Sequence, residues 1–207
     1  MGSEILRDEV QNFVLILPIF LISLTIHEYS HGWMAYRFGD DTAKRMGRLT
    51  LNPLSHISLI GTIIMPLVAH FGWANPVPVN FGILTKKQIF MVAAAGPMAN
   101  IFLALVLASG FHIFRLWALP MLGNFVLMAI MFNLILAVFN LLPIPPLDGS
   151  KMVYAQLKSP EAINAYNNFA RYGMFVLIGF LVLGGFRLIL PFVGLLYTLL
   201  GLPLPIL

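Results

Sequence analysis

The stretch that decides the fold is FVLILPIFLISLTIHEYSHGWMAY, residues 13–36. Its only formally charged residue is Glu28, which lies between His27 and His31 in the sequence. As a helix with a rise of about 1.5 Å per residue, the stretch extends about 36 Å, enough to cross the roughly 30 Å hydrocarbon core of a bilayer. The segment therefore predicts a membrane-spanning helix that carries titratable side chains within it.

The composition of the whole chain indicates the same class of protein. Of the 207 residues, 59% are hydrophobic and 10% are charged, against roughly 45–50% and 25% in soluble domains. A soluble globular protein and a disordered chain are both excluded, because the long charge-free stretches require burial in lipid or protein. The net charge of +4 comes from loop clusters, which suit membrane orientation, so we expect the lipid bilayer and not nucleic acid as a partner.

Further apolar segments predict a mainly α, polytopic transmembrane helical bundle. Residues 88–114 and 121–142 have the length and composition of spans. Residues 172–200 contain a glycine pair followed by an arginine, which favours two short helices over one long helix. We expect a single integral membrane domain over residues 1–207, with a motif-bearing core at 13–151 and C-terminal apolar helices at 172–200.

Shorter segments predict structure near the membrane surface. Residues 57–68 are uniformly apolar over only 12 positions, too few to span, which favours a re-entrant or interfacial element. Residues 48–51 and 77–81 have the composition of short β-strands, and Pro78 would confine the second to a sheet edge. We expect such an edge strand to pair with an extended peptide by strand addition.

The motif His27-Glu28-Tyr29-Ser30-His31 has the HExxH form. On a helix, its two imidazoles lie one turn apart on the same face, at a spacing that binds one divalent ion. Glu28 projects about 100° around the axis from His27, where a general base beside the ion would stand. Charged groups in a lipid-spanning segment cost a few kcal/mol each unless they are paired or bind metal, which excludes a merely solvated cluster. The alternative to a metal site is a structural cluster that hydrogen-bonds to other helices.

Two histidines leave a catalytic zinc site incomplete, since such a site has three protein ligands and an open position. The chain has no cysteine, and the best-placed remaining carboxylate is Asp148 in NLLPIPPLDG, residues 140–149. Six residues after the helix end predicted at Leu142 reach about 20 Å, so Asp148 can fold back to the depth of His31. The prolines of residues 140–149 prevent a helix there, and irregular backbone at membrane depth is tolerated where it lines a water-filled cavity. Alone, Leu-Asp-Gly is equally an ordinary turn.

Together, the two motifs resemble the site-2 protease family of intramembrane zinc metalloproteases, in its short bacterial and archaeal form. The first matches the HExxH of that family, and residues 140–149 match its Asn-x-x-Pro-x-Pro-x-x-Asp-Gly signature. Residues 47–54, 61–62 and 96–100 are also similar to that branch, so the resemblance covers residues 13–151.

The resemblance implies a complete set of site residues. Zinc would be held by His27, His31 and Asp148, with Glu28 as the catalytic acid and base. Asn140 would hydrogen-bond the substrate or the oxyanion, and a hydrogen bond between helices is an equal alternative for it.

The implied activity is hydrolysis of peptide bonds in membrane-spanning or membrane-adjacent protein substrates. One alternative is a divalent-metal transporter with the same His/His/Asp site, but a transit site has no need of the non-ligating carboxylate of Glu28. Another is an inactive membrane scaffold that has lost a ligand, but no ligand is missing from this sequence.

The basic residues predict an orientation in the cell membrane. If residues 57–68 do not cross, nine of the twelve Lys and Arg residues share one side, whereas a crossing divides them six and six. The positive-inside rule favours the first arrangement, with the N-terminus outside and the active site toward the cytoplasm. Only then does the span that ends at Leu142 emerge on the side nearest His31, as a shared metal site requires.

Overall fold

The computed structural model describes residues 2–58 and 75–202. The chain divides into two compact units, Met1–Asn80 and Phe81–Leu207. Both are built mainly from helices in the described residues. This confirms the mainly α prediction, while the division leaves the single-domain expectation untested.

The first unit is dominated by helix α1, Gly2–Arg37, which contains the whole of the predicted 13–36 helix. A short helix α2, Thr42–Arg45, and a 3₁₀ turn at Pro53–Ser55 follow. The chain leaves α1 through Gly39, whose φ of 94° is a left-handed conformation that glycine adopts without a Cβ clash. This turn places Asp40 directly after the helix.

The prediction of short β-strands is wrong for the residues that the structure describes, among which no strand occurs. Residues 49–51 form bends, and residue 48 and residues 75–80 have no regular secondary structure. The reason lies in the backbone donors of the second segment: Val77 and Asn80 donate to side-chain carboxylates instead of a neighbouring strand, and its two prolines have no N–H. The predicted re-entrant element at 57–68 falls outside the described residues, apart from its first two positions.

The second unit begins with the two long helices α3, Lys86–Ile113, and α4, Pro120–Asn140. Both are long and apolar enough to cross a membrane, which confirms the spans predicted at 88–114 and 121–142. A capping box starts α3: the Thr85 hydroxyl accepts from the Gln88 N–H, and the Gln88 side chain accepts from the Thr85 N–H.

Four shorter helices complete the described part of the second unit: α5, Asp148–Tyr154; α6, Pro160–Arg171; α7, Gly173–Val182; and α8, Phe186–Leu199. Helices α7 and α8 are bent by 79° at their break and together have the length and composition of one broken span or a re-entrant pair. Two short helices in residues 172–200 are thereby confirmed.

The core of the second unit lies where α3, α4 and α8 meet. Small side chains of α3 let the helices approach closely, and larger side chains from all three helices fill the space between them. The buried residues of this core include Ala104, Ala108, Phe111, Ile130, Leu134, Val193 and Tyr197. Within this apolar contact, the Asn100 side chain donates to the Asn133 side chain at 2.8 Å, and both are fully buried.

Candidate metal centre

The HExxH motif places two imidazoles together on α1, as its spacing predicts. The Nε2 atoms of His27 and His31 lie 3.1 Å apart, and their rings meet edge to face with centroids at 4.7 Å. Two nitrogen ligands at 2.0–2.1 Å from a tetrahedral zinc ion lie about 3.3 Å apart. The observed separation is close to that value, so this donor pair fits a divalent ion.

The histidines belong to a buried row along α1. Ile19, Ser23, His27 and His31 follow one another at steps of four residues, and all four are buried. A step of four advances about one helical turn, so these side chains share one face. The helix itself therefore sets the spacing of the two imidazoles.

Glu28 lies on another side of α1 and is half-buried. Its Oε2 accepts a hydrogen bond of 2.8 Å from the backbone N–H of Val77. A backbone donor therefore holds one oxygen of the Glu28 carboxylate in place.

Residues 75–80, which we term the strap, are fastened at a second point three residues further along. The Asn80 N–H donates to Oδ2 of Asp40 at 2.6 Å. The other oxygen of Asp40 accepts from the N–H of Thr42 at 3.1 Å and from its hydroxyl. Three donors thus converge on this carboxylate, which is 1% exposed.

These contacts also act on the proton affinity of Asp40. Burial by itself raises the pKa of its carboxyl, but the hydrogen bonds from Thr42 and Asn80 lower it by more. The net result is a pKa below the ordinary aspartate value. Asp40 is therefore an ionised, fully engaged carboxylate at neutral pH.

The start of the strap is held by Arg48 and His56. The Arg48 guanidinium donates to the carbonyl of Asn75 at 2.7 Å, and the Asn75 N–H donates to the carbonyl of His56 at 3.0 Å. The His56 ring in turn lies 2.9 Å from a backbone carbonyl. The strap is thus held by side chains and turns of its own unit.

Asp148 is the first residue of α5 in the second unit, at the end of the proline-rich turn. It is 4% exposed, and its Oδ1 forms an ion pair of 2.9 Å with Lys151. A Cβ at Gly149 would lie 2.1 Å from the carbonyl oxygen of Leu141. The absence of that side chain therefore lets α5 begin directly against the end of α4.

Asn140 is the last residue of α4 and is half-buried. Its Nδ2 donates to the Leu136 carbonyl of the same helix at 2.9 Å. Its predicted contact with substrate or oxyanion stays a prediction.

Sequence reasoning missed Asp40, Arg48 and Lys151. The motif spacing contains a signal only for Lys151, which follows Asp148 by three residues and therefore meets it once both lie on one helix. Asp40 carries no comparable signal, because Asp41 beside it is the same residue type and only the fold distinguishes the buried carboxylate from the exposed one.

Comparison with known proteins decides the family. The family model described as peptidase family M50 matches residues 15–117 and 112–184, segments that contain His27, His31 and Asp148. The chain belongs to peptidase family M50. This M50 membership confirms the resemblance to the site-2 protease family, and with it an integral membrane protein.

Several relatives of this M50 chain have names. YwhC of Bacillus subtilis (strain 168), provisionally named a zinc metalloprotease, is 46% identical over 142 residues, which cover 64% of either protein. Rip2 of Mycolicibacterium smegmatis, also provisionally named a zinc metalloprotease, is 31% identical over 82% of this chain and 67% of its own length. MJ0392 of Methanocaldococcus jannaschii, named a zinc metalloprotease, is 23% identical over 76% of this chain and 38% of its own length.

The M50 chain thus spans less than two thirds of YwhC. No solved structure matches it significantly. The names of its relatives do not favour the transporter alternative.

Proposed function

We propose that the chain is an intramembrane zinc metalloendopeptidase that hydrolyses peptide bonds in membrane-spanning or membrane-adjacent proteins. The observation that carries this proposal is the convergence of the His27 and His31 Nε2 atoms at 3.1 Å, next to the non-ligating Glu28, in a member of peptidase family M50. The names of the relatives support zinc as the metal.

Three side chains of this chain would hold the ion: His27, His31 and Asp148. Two imidazoles and one carboxylate form a donor set that suits zinc, and three protein ligands leave a position open for chemistry. Oδ1 of Asp148 also forms an ion pair with Lys151, which would help to orient this carboxylate. When bound, zinc supplies Lewis-acid chemistry: it polarises the scissile carbonyl and makes water acidic enough to attack at neutral pH.

Glu28 would carry the proton. It takes the proton from the attacking water as the new C–O bond forms, and it returns that proton to the nitrogen that leaves as the C–N bond breaks. The hydrogen bond from Val77 to Oε2 orients the carboxylate for both transfers.

The substrate of such a site is an unwound segment of a membrane protein, because a helical segment keeps its peptide carbonyls in its own hydrogen bonds. Asn140 is proposed as a contact to this segment. The described contact of Asn140 uses its Nδ2, so its amide oxygen would accept a substrate N–H.

The decisive experiment uses purified, zinc-loaded protein and a synthetic peptide with one apolar span interrupted by a Gly-Pro pair. We expect cleavage that a zinc chelator abolishes and added zinc restores. Glu28→Gln should retain zinc and lose cleavage, since it removes the proton carrier and no ligand. Cleavage that survives the chelator, or survives in Glu28→Gln, would overturn the proposal.

We also propose that the protein lies in the cell membrane with its N-terminus outside and its active site toward the cytoplasm. The basic residues support this orientation, which places nine of twelve on one side. The chain has no cysteine, so single cysteines at the exposed positions Leu54, Ile83 and Gln156 can be labelled without background. All three should react from the cytoplasmic side alone, and labelling of Ile83→Cys or Gln156→Cys from outside would refute the orientation.

A further inference from the structure

We infer that Asp40 is a positioning residue for the reaction. Asp40 acts on Glu28 through the strap, residues 75–80. This inference rests on the proposed function, in which Glu28 is the catalytic carboxylate. Asp40 lies 12 positions after Glu28. The strap connects the two, because one of its backbone N–H groups donates to each carboxylate.

The connection is short and continuous. Oδ2 of Asp40 accepts from the Asn80 N–H at 2.6 Å, and three residues earlier the Val77 N–H donates to Oε2 of Glu28 at 2.8 Å. Pro78 lies between the two donors, and its ring fixes one of the backbone torsions that separate them. A displacement at Asn80 is therefore passed on to Val77 with fewer torsions to absorb it.

The strap also lies directly on α1, beside the motif. Val77 is buried, and a Cβ built on Gly32 would be 2.8 Å from its Cγ1. Gly32 immediately follows His31 in the sequence. The N–H that holds Glu28 is thus set by the packing of Val77 on α1 at one point and by Asp40 at the other.

A carboxylate is needed at position 40 because of its acceptors. Its two oxygens receive three donors: the Thr42 N–H, the Thr42 hydroxyl and the Asn80 N–H. An asparagine has one oxygen and one NH₂ group, so either orientation turns an NH₂ group toward a donor. Asp40→Asn therefore keeps the size of the side chain and loses the contact with Thr42 or with Asn80.

The consequence for the reaction concerns orientation. Glu28 must bring its free oxygen to the attacking water and then to the leaving nitrogen, and misplacement of a catalytic group by about 1 Å costs about a hundredfold in rate. A looser strap therefore lowers kcat, whereas zinc binding through other side chains stays intact. A merely structural Asp40 would lower stability and leave kcat of the folded protein unchanged.

The chain offers a matched control one residue away. Asp41 is half exposed and pairs with exposed Arg45 at 2.9 Å, so Asp41→Asn makes the same chemical change away from the strap. We would measure kcat, KM and zinc content of the zinc-loaded proteins with the single-span peptide. Asp40→Asn should lower kcat about tenfold to a hundredfold, with KM and zinc content within about twofold of wild type. Asp41→Asn should leave all three within about twofold, since an exposed pair contributes little.

A second pair of variants tests the N–H itself and applies even if Asp40→Asn does not fold. Replacing Val77 by its α-hydroxy acid converts one backbone amide to an ester, which removes the donor to Glu28 and keeps the side chain. The same ester at Val79, whose N–H makes no hydrogen bond to the described residues, is the control. The ester at 77 should reproduce the fall in kcat, and the ester at 79 should not.

The outcomes separate this inference from the proposed function. If Glu28→Gln abolishes cleavage while Asp40→Asn keeps the kcat of Asp41→Asn, or the two esters behave alike, the inference is overturned and the proposed function stands. A fall in kcat that follows zinc loss in Asp40→Asn also overturns it. Cleavage by Glu28→Gln overturns both.

Discussion

The two units of the chain present their candidate ligands in different ways. In the first unit, His27 and His31 lie on a helix of 36 residues, α1, whose geometry alone sets their separation. In the second unit, Asp148 opens a helix of seven residues, α5, after a turn that contains three prolines. The two candidate ligands that need a fixed mutual spacing thus lie on one helix, whereas the third candidate opens a short helix after a turn.

This difference predicts which substitutions in each unit displace its candidate ligands. A substitution at a position between His27 and His31 leaves the spacing of the two imidazoles intact as long as α1 stays helical. The position of Asp148 instead depends on the close approach of α5 to the end of α4 at Gly149 and on the ion pair with Lys151. Substitutions near Asp148 should therefore disturb the site more than equally conservative ones within α1.

The largest effect should come from removing ligands, one from each unit. His31→Ala and Asp148→Ala should each reduce bound zinc below about a tenth of the wild-type content, because two remaining ligands hold the ion poorly. The measurement is metal analysis of protein purified in zinc-containing buffer. A wild-type zinc content in Asp148→Ala would mean that the third ligand is another residue, and the comparison of the two units would then be wrong.

The next effect concerns a methyl group added to each unit. Gly149→Ala would place Cβ 2.1 Å from one backbone oxygen and 2.5 Å from a second, and backbone cannot move aside easily, so we expect about 3 kcal/mol or more of lost stability. Gly32→Ala meets the side chain of Val77 at 2.8 Å and should cost about 1 kcal/mol.

Denaturation in detergent, followed by circular dichroism, compares these two variants. Gly194→Ala is the control: it lies within α8 with nothing within 4 Å of its Cβ and should gain up to about 1 kcal/mol. If Gly32→Ala proves as damaging as Gly149→Ala, the first unit is as tightly constrained as the second.

A smaller effect is expected at the ion pair of the second unit. Lys151→Met keeps a flexible, unbranched side chain that lacks only the terminal ammonium group. It therefore removes the charge that holds Oδ1 of Asp148, so zinc affinity should fall about tenfold. Competition with a fluorescent zinc chelator gives the dissociation constant. Lys158→Met, at an exposed position, is the control and should leave the dissociation constant unchanged. Equal affinities in the two variants would contradict a role for Lys151 in zinc binding.

The smallest effect is a pH dependence in the first unit. The hydrogen bonds to Asp40 lower its pKa in the folded protein. Its contribution to stability is therefore present above the unfolded-state value of about 3.9 and is lost as the pH falls through the lower folded-state value. The difference in unfolding free energy between wild type and Asp40→Asn should shrink below about pH 4, and a difference that is constant from pH 6 to pH 3 would contradict the assignment.

The sequence alone predicts what depends on periodicity and spacing. The long apolar runs predict α3 and α4, the glycine pair predicts the break between α7 and α8, and HExxH predicts the imidazole pair. Each of these is local, because a helix fixes neighbours at one turn regardless of the rest of the chain.

What the sequence could not predict depends on distant partners. Residues 77–81 have the composition of a strand, but their N–H groups bond to Glu28 and Asp40, which lie 49 and 40 residues from their respective donors. β-propensity reports packing on a pleated surface and says nothing about side-chain acceptors. The strap could therefore not be distinguished from an edge strand, nor Asp40 from Asp41, without the fold.

The buried amide pair between α3 and α4 has a consequence for evolution and engineering. Asn100 and Asn133 meet at 2.8 Å inside an apolar contact, so sliding either helix by one turn would leave two amides facing hydrocarbon. The Asn100–Asn133 hydrogen bond therefore specifies one register of α3 against α4. Chimaeras with related proteins should exchange α3 and α4 as a unit, and an exchange of one helix alone should succeed only where the incoming segment carries an amide at the same register.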